Sequence, residues 1–223
     1  MLVVHHLENS RSQRILWLLE ELGMDYEIRL YSRDPVSLLA PEALRKIHPL
    51  GKSPLVEDNG QVLAESGAII EYLADRYGRG RLWPAEDGPP RQQVRYWLHY
   101  AEGSLMPLLL LRLVFDQVCK APAPWLVRPV IRGVDAKVSQ SFISPQLALH
   151  LDYLESHLAD SEWFAGSSIS AADIQMSFPL EAAAARGGLH GKRHPRLQTF
   201  LERIHRRPAW QRALQRGGAY DYA

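Results

Sequence analysis

The sequence of 223 residues contains a single cysteine, Cys119, which excludes an intrachain disulfide framework and favours a reducing compartment. It also lacks an excess of charge of either sign. The formal net charge of +1 gives no reason to expect nucleic acid or an anionic membrane as a partner. The nine histidines show no metal-ligand spacing beside a carboxylate, so we predict that no metal is bound.

Long apolar runs are missing as well. The apolar segment before His5 is too short for a signal peptide, and the run at residues 108–111 is far too short to cross a bilayer. We therefore expect a cytoplasmic protein that does not bind a membrane. The content of 46% hydrophobic and 23% charged residues is typical of a globular protein with one or two domains.

The first 77 residues predict the element order βαβαββα. A buried strand at residues 2–7 is followed by a helical segment that ends at Gly23, and an alternating strand begins at Tyr26. A strand, helix, strand order implies a parallel pair joined by a right-handed crossover. A short helix at residues 41–47 precedes two further strands and a helix. This order is typical of a thioredoxin-like fold.

The second half of the chain is predicted to be all helical. A stretch rich in Gly, Pro and Asp separates the two halves, so we predict domains at residues 1–78 and 89–223. One long helix should be kinked at Pro107, and a second should be interrupted at Pro145, because proline cannot donate a helical hydrogen bond. Further along, Ser170 and Asp173 have the spacing of a capping box.

Residues 51–73 predict a binding site for a small zwitterion. Asp58-Asn59-Gly60 indicates a hairpin between two short strands, and Ser66 is predicted to cap the helix that follows. A helix N-terminus attracts anions, so Ser66 can hold a carboxylate while the neighbouring Glu65 pairs with an ammonium group. Both charges at one place suit the head group of an α-amino acid.

The turn before the hairpin adds a second part to this site. Pro54 can adopt a cis peptide bond, which would expose the backbone of Ser53 to an extended ligand. Lys52 would neutralise a carboxylate at the far end of that ligand. Each feature alone is also typical of an ordinary hairpin and capped helix. Their combination favours a site for a short extended peptide with an amino-acid head and an acidic tail.

These residues carry a resemblance to a known family. The segment GKSPLVED, followed by LAESGAIIEYLADRY, resembles the glutathione-binding half of the cytosolic glutathione S-transferases. The resemblance implies that the loop at Ser53 and Pro54 pairs with the cysteinyl backbone of glutathione. It also implies that Glu65 and Ser66 hold the γ-glutamyl group and that Lys52 faces the other carboxylate. The Ser170 capping element extends the resemblance into the second half.

The implied protein is a glutathione transferase with a thioredoxin-like N-terminal domain and an all-α domain that forms the wall for a small apolar electrophile. Glutathione is the co-substrate, and no other cofactor is expected. The stretch ENSRSQRILWLLEEL looks most like a bacterial and fungal subgroup. A twofold homodimer is also implied, in which the N-terminal domain of one chain packs against the first helices of the other chain's second domain, around residues 96–102, with Glu102 reaching the γ-glutamyl end of the partner's ligand.

Three residues are candidates to ionise the glutathione thiol, because they lie where the first strand meets the first helix. Ser10 ranks first, since its hydroxyl and backbone N–H can both point at the sulfur. Asn9 occupies the position of the catalytic serine in related subclasses, and Arg11 can add positive charge. Ser12 ranks last, because we expect it to turn toward the backbone. The alternative is that these serines only cap the helix.

The sequence is also compatible with other functions. The same thiolate can reduce a peroxide or a disulfide, which is the alternative reaction. A non-catalytic scaffold with the same fold is a further alternative, although Lys52, Glu65 and Ser66 are all present. A thiol oxidoreductase of the thioredoxin type is excluded, because no cysteine precedes Cys119.

Overall fold

The computed structural model describes residues 1–34, 37, 39–186 and 188–222. Its first part is a four-stranded sheet in the order β2-β1-β3-β4, with helices packed against it. The elements are β1 (Leu2–Leu7), α1 (Gln13–Leu22), β2 (Tyr26–Tyr31), a 3₁₀ helix (Glu42–Lys46), β3 (Leu55–Asp58), β4 (Gln61–Ala64) and α2 (Ser66–Tyr77). The predicted α/β thioredoxin-like order is therefore confirmed, with the short helix in 3₁₀ form.

Strand β1 is central and fully buried, which explains its continuous run of apolar and histidine side chains. It pairs with β2 in parallel, and with β3 in antiparallel register with Val4 opposite Val56. Asn59 and Gly60 both adopt positive φ between β3 and β4, as the predicted tight hairpin requires. This topology brings the end of β1 and the start of β3 to one edge of the sheet.

The second part of the chain is helical, as predicted. Its helices are α3 (Pro89–Tyr100), α4 (Met106–Lys120), α5 (Arg128–Val138), α6 (Ser144–His157), α7 (Ala171–Ala185), α8 (Pro195–His205) and α9 (Pro208–Gly217). The helical stretch Pro89–Lys120 is long and apolar enough, by length and composition alone, to cross a membrane. Core helices of globular proteins pass the same test, and here this stretch packs on α7 and α5.

The predicted disturbances at Pro107 and Pro145 take the form of π-helical turns. One such turn, Ala101–Leu105, joins α3 to α4, and another, Ser139–Ile143, joins α5 to α6. Proline has no N–H and its ring clashes with the carbonyl four residues earlier, so the backbone widens just before it. The first of these turns carries Glu102, which is important for the site below.

Helix α7 runs through the core of the helical part, and its first 13 residues are all buried. Its start is fixed by the predicted capping box. The hydroxyl of Ser170 accepts a hydrogen bond from the N–H of Ala172, and the carboxylate of Asp173 accepts one from the N–H of Ser170. The prediction of a structural cap at this position is confirmed. Helix α1 packs against α7 and joins the sheet to the helical part.

Candidate functional site

The start of helix α2 lies at the edge of the sheet, beside β4. Ser66 is the first residue of the helix, and Glu65 precedes it with a left-handed φ of 68°. The prediction that Ser66 caps the helix is therefore wrong by one position, since the cap residue is Glu65 and its side chain makes no capping bond. The strained backbone at Glu65 leaves its side chain exposed, while Ser66 is buried at the helix N-terminus.

Ser66 is held from behind by a buried guanidinium. The Nη2 atom of Arg14 donates to the Ser66 hydroxyl at 2.7 Å and also contacts the carboxylate of Glu102. Its Nη1 atom donates to the carbonyl of Gln175 in α7 at 2.6 Å. Because the Ser66 oxygen accepts from Arg14, its own proton is free to be donated to a ligand. The positive charge of Arg14 also lies behind any anion bound there.

A cleft of about 270 Å³ opens in front of these groups. It is lined by Arg11, His48, Leu50, Lys52, Ser53, Pro54, Leu55, Ala64, Glu65, Ser66 and Glu102. Every residue predicted to bind the peptide-like ligand is in this set. The Ser53–Pro54 peptide bond is cis, as predicted. Lys52 is exposed and makes no ion pair with the described part of the chain, so its charge is available to a ligand carboxylate.

A second cavity of about 230 Å³ adjoins this cleft. Its apolar wall includes Met106, Leu110 and Leu113 of α4, Phe178 of α7 and Tyr222 of the C-terminal segment, whose ring packs against that of Phe178. Its basic wall is formed by Arg11, Arg33, Lys52 and Arg186. Arg11, Lys52 and Ser53 line both spaces, so the two meet beside the turn at residues 9–11.

The turn between β1 and α1 holds its side chains in hydrogen bonds. Ser12 is fully buried, and its hydroxyl contacts His6 and the backbone of Leu7, so the prediction that it turns toward the backbone is confirmed. The Ser10 hydroxyl accepts from the N–H of Ser12 and contacts the Ser12 hydroxyl at 2.7 Å. The amide of Asn9 is paired at both ends with Asp221.

Comparison with known proteins identifies the family of this chain. Models of the N-terminal and C-terminal domains of glutathione S-transferases match residues 1–75 and 139–208. Glutathione S-transferase 3 of Schizosaccharomyces pombe is 40% identical over 219 residues, which cover 97% of this chain and 88% of that protein. The chain belongs to the glutathione S-transferase family. The predicted family and the prediction of a glutathione transferase are confirmed.

Two further members of the family are similar over most of their length. Glutathione S-transferase 1 of Saccharomyces cerevisiae is 36% identical over 208 residues, covering 90% of this transferase and 88% of the yeast protein. The crystal structure of a glutathione S-transferase from Actinobacillus pleuropneumoniae has a TM-score of 0.83 and 33% identity. It covers 100% of this chain and 95% of its own. The whole two-part fold is thus shared with a solved glutathione S-transferase.

Two charged residues of this transferase's site make contacts within the chain that the sequence did not predict. Arg14 was not predicted as a site residue, because an arginine within an apolar helical pattern gives no local sign that it is buried behind Ser66. Glu102 was expected to reach the partner's ligand. In its own chain it lines the cleft, between Arg11 and Arg14, and its contact with a partner's ligand stays a prediction. The two arginines hold the pKa of Glu102 below its usual value, although burial opposes this.

His6 and Asp221 were also missed, because their partners are distant in sequence or in an unexpected direction. His6 is a buried residue of β1 whose ring bonds Ser12 and the carbonyl of Gly217. Asp221 belongs to the C-terminal segment and reaches back to Asn9. Within the residues that the structure describes, no group of three His, Cys, Asp or Glu side chains is placed to hold a metal ion.

Proposed function

We propose that this transferase binds glutathione in the cleft and an apolar electrophile in the adjoining cavity. The γ-glutamyl group would bind at Glu65 and Ser66, the cysteinyl backbone at Ser53 and Pro54, and the glycine carboxylate at Lys52. The thiol would then lie at the turn of residues 9–11. Residues 1–78 would form the glutathione domain and residues 89–223 the electrophile domain. No cofactor is needed for this chemistry.

The hydroxyl of Ser66 is the observation that carries this proposal. Its oxygen accepts from Arg14 at 2.7 Å, so its proton and the first N–H groups of α2 can all donate to one carboxylate. Glu65, exposed beside it, supplies the opposite charge for an ammonium group. Lys52 lines the same cleft, which supports a ligand with a second carboxylate.

The reaction would begin with release of the thiol proton to solvent. The glutathione thiolate would then attack an electrophilic carbon, so that a carbon–sulfur bond forms while the bond from that carbon to a leaving group breaks and the leaving group departs with the bonding electrons. A free thiol has a pKa of about 8.5, so only about 3% of it is ionised at pH 7. The site must therefore favour the thiolate. The apolar wall at Met106, Leu110 and Phe178 supports an electrophile with an apolar carbon skeleton.

Glutathione is expected to stabilise the folded protein through binding. At about 100 times its dissociation constant it should add about 2.7 kcal/mol to the free energy of unfolding. Glu65→Ala and Ser66→Ala should each remove most of this gain, while Glu86→Ala, on the exposed linker, should keep it. Thermal-shift titration with glutathione and then with S-hexyl-glutathione measures both effects.

The outcomes of this titration separate the alternatives. An unchanged melting temperature of the wild type at millimolar glutathione would contradict the proposal and favour a non-catalytic scaffold. If glutathione binds, mass spectrometry of the products distinguishes a glutathione conjugate from glutathione disulfide. The disulfide as the main product would favour peroxide or disulfide reduction over transfer.

We also propose that the protein is a homodimer with twofold symmetry, packed through α3 and α6. Apolar and aromatic side chains are exposed on these helices and on the π-helical turn before α6, namely Tyr96, Phe142, Leu149 and Tyr153. A twofold interface uses the same patch on both chains, so one such surface is sufficient.

Light scattering at micromolar concentration should therefore give twice the mass of one chain. Leu149→Arg, which puts a charge into the proposed interface, should shift the protein toward monomer. Leu126→Arg is the matched control, because Leu126 is similarly exposed but lies before α5 and outside this patch. A monomeric wild type, or equal effects of the two variants, would count against the proposed dimer.

The compartment that we propose is the cytoplasm. A single cysteine, Cys119, fits a reducing environment, where thiols stay unpaired. Recovery of the protein in a membrane or secreted fraction would contradict this assignment.

A further inference from the structure

Three hydrogen-bonded side chains, those of His6, Ser12 and Ser10, lie beneath the turn at residues 9–12. The donor and acceptor in each of their hydrogen bonds follow from the state of His6. The Nε2 atom of His6 is 3.1 Å from the carbonyl oxygen of Gly217, which can only accept a hydrogen bond. Nε2 therefore carries the ring proton. Burial lowers the pKa of His6 to about 4, so the ring is neutral at physiological pH and Nδ1 has only a lone pair.

The hydroxyl of Ser12 must therefore donate to His6. Its oxygen lies 2.8 Å from Nδ1 and accepts the N–H of Leu7 at 3.1 Å. The carbonyl of Leu7 is a second possible acceptor at 3.2 Å. Donation to that carbonyl would leave the Nδ1 lone pair facing the Ser12 oxygen without a proton between them. The shorter bond to His6 thus uses the Ser12 proton.

The direction of the next bond follows from this. The hydroxyl oxygens of Ser10 and Ser12 are 2.7 Å apart, and one of them must donate. Since the Ser12 proton is used on His6, the Ser10 proton points at Ser12 and away from the cavity. The Ser10 oxygen also accepts the N–H of Ser12 at 3.2 Å. For a ligand in the cavity that Ser10 lines, this hydroxyl then offers only a lone pair, which can accept from a thiol but repels a thiolate.

Asn9 and Arg11, the other two candidates in the turn, differ in which of their side-chain donors are available to a ligand. The amide nitrogen of Asn9 donates to the carboxylate of Asp221 at 2.8 Å, and its oxygen accepts the N–H of Asp221 at 2.8 Å. Arg11 uses only Nε, which donates to Glu102 at 3.1 Å. Neither terminal nitrogen of Arg11 has a hydrogen-bond partner in the described ranges, and Arg11 lines both the cleft and the adjoining cavity.

We propose that the chain from His6 through Ser12 turns the Ser10 proton inward, so that Arg11, rather than the Ser10 hydroxyl, stabilises the thiolate of bound glutathione. This rests on the proposed function, which puts the thiol at this turn. Ser12 is then a positioning residue and not a catalytic one. Lys52, Arg33 and Arg186 also face the cavity, and Glu102 is the acidic group beside Arg11. The ranking from the sequence, which puts Ser10 first, makes the opposite prediction, and the same experiment tests it.

The experiment is a pH titration of the thiolate absorbance of bound glutathione in five proteins. Compared with the wild type, Arg11→Met should raise the thiol pKa by about one unit, since a hydrogen bond to a charged group is lost. Ser10→Ala should change it much less. Ser12→Ala should lower it by about one unit, because the freed Ser10 proton can now point at the sulfur. In the double variant Ser10→Ala/Ser12→Ala this lowering of the thiol pKa should disappear, because the Ser10 hydroxyl is absent.

One conservative variant and a binding measurement complete the test. Ser12→Thr keeps the hydroxyl, so the thiol pKa of bound glutathione should stay at its wild-type value. A fall of this pKa with Ser12→Ala but not with Ser12→Thr would be caused by the lost hydroxyl and not by altered packing. If Ser12→Ala does not fold, the comparison of Arg11→Met with Ser10→Ala still decides. The inference is overturned if Ser10→Ala raises the thiol pKa as much as Arg11→Met does. It is also overturned if the Ser12→Ala protein folds and its thiol pKa does not fall. Calorimetric titration with glutathione separates failure of this inference from failure of the proposed function. A wild-type protein that does not bind glutathione overturns the proposed function itself.

Discussion

Replacing Arg14 by methionine is expected to lower the free energy of unfolding by about 3–5 kcal/mol, because it breaks a buried ionic network on one side. The side chain of Arg14 is 1% exposed and donates to the Gln175 carbonyl, to Ser66 and to Glu102. Methionine fills much of the volume but leaves the Gln175 carbonyl without the Arg14 donor and the Glu102 carboxylate with Arg11 alone. Denaturant unfolding followed by circular dichroism measures the loss.

The matched control for this prediction is Arg206→Met. Arg206 forms an ion pair with Glu202 in which the two side chains are 79% and 48% exposed, so its loss should cost no more than about 0.5 kcal/mol. The same Arg14 substitution should also weaken glutathione binding, since Ser66 loses its donor and the charge behind the anion disappears. A stability loss no larger than that of Arg206→Met would contradict the structural role of Arg14.

Asp173→Ala is expected to cost about 2–5 kcal/mol of unfolding free energy, because it leaves two buried N–H groups without acceptors. The Asp173 carboxylate is fully buried and accepts from the N–H of Phe164 at 2.8 Å, the N–H of Ser170 at 2.8 Å and the hydroxyl of Ser170 at 3.0 Å. Burial raises the pKa of Asp173 to about 6, and these donors oppose that rise.

A second substitution in the same capping box provides the comparison. Ser170→Ala removes the acceptor for Ala172, at 3.2 Å, and one of the three donors to Asp173, at 3.0 Å, but leaves the N–H groups of Phe164 and Ser170 paired, and should cost about 1 kcal/mol. The expected order therefore has Asp173→Ala well above Ser170→Ala in urea denaturation at pH 7. Equal losses would indicate that the bond to Phe164, which ties the preceding loop to the helix, adds little.

The parts of the site that could be predicted are those in which neighbouring residues carry the whole signal. Lys52, Ser53 and Pro54 form one turn, and Glu65 and Ser66 open one helix, so their type and order were enough to predict a ligand with two charged ends. The error of one position at the helix cap has a local cause. Glu65 adopts a left-handed φ that is uncommon for a non-glycine residue, and the helix begins at Ser66, one residue earlier than a serine cap would place it.

The sequence by itself determined the elements of this protein, because strand alternation, helical periodicity and the turn at Asn59-Gly60 depend on residues close along the chain. The tertiary structure decided which polar groups are free. Asn9 is separated from Asp221 by 212 positions, and Arg14 from Gln175 by 161. No local pattern reports a hydrogen bond across such separations. Whether a side chain at the turn can serve a ligand therefore depends on contacts that only the folded chain makes.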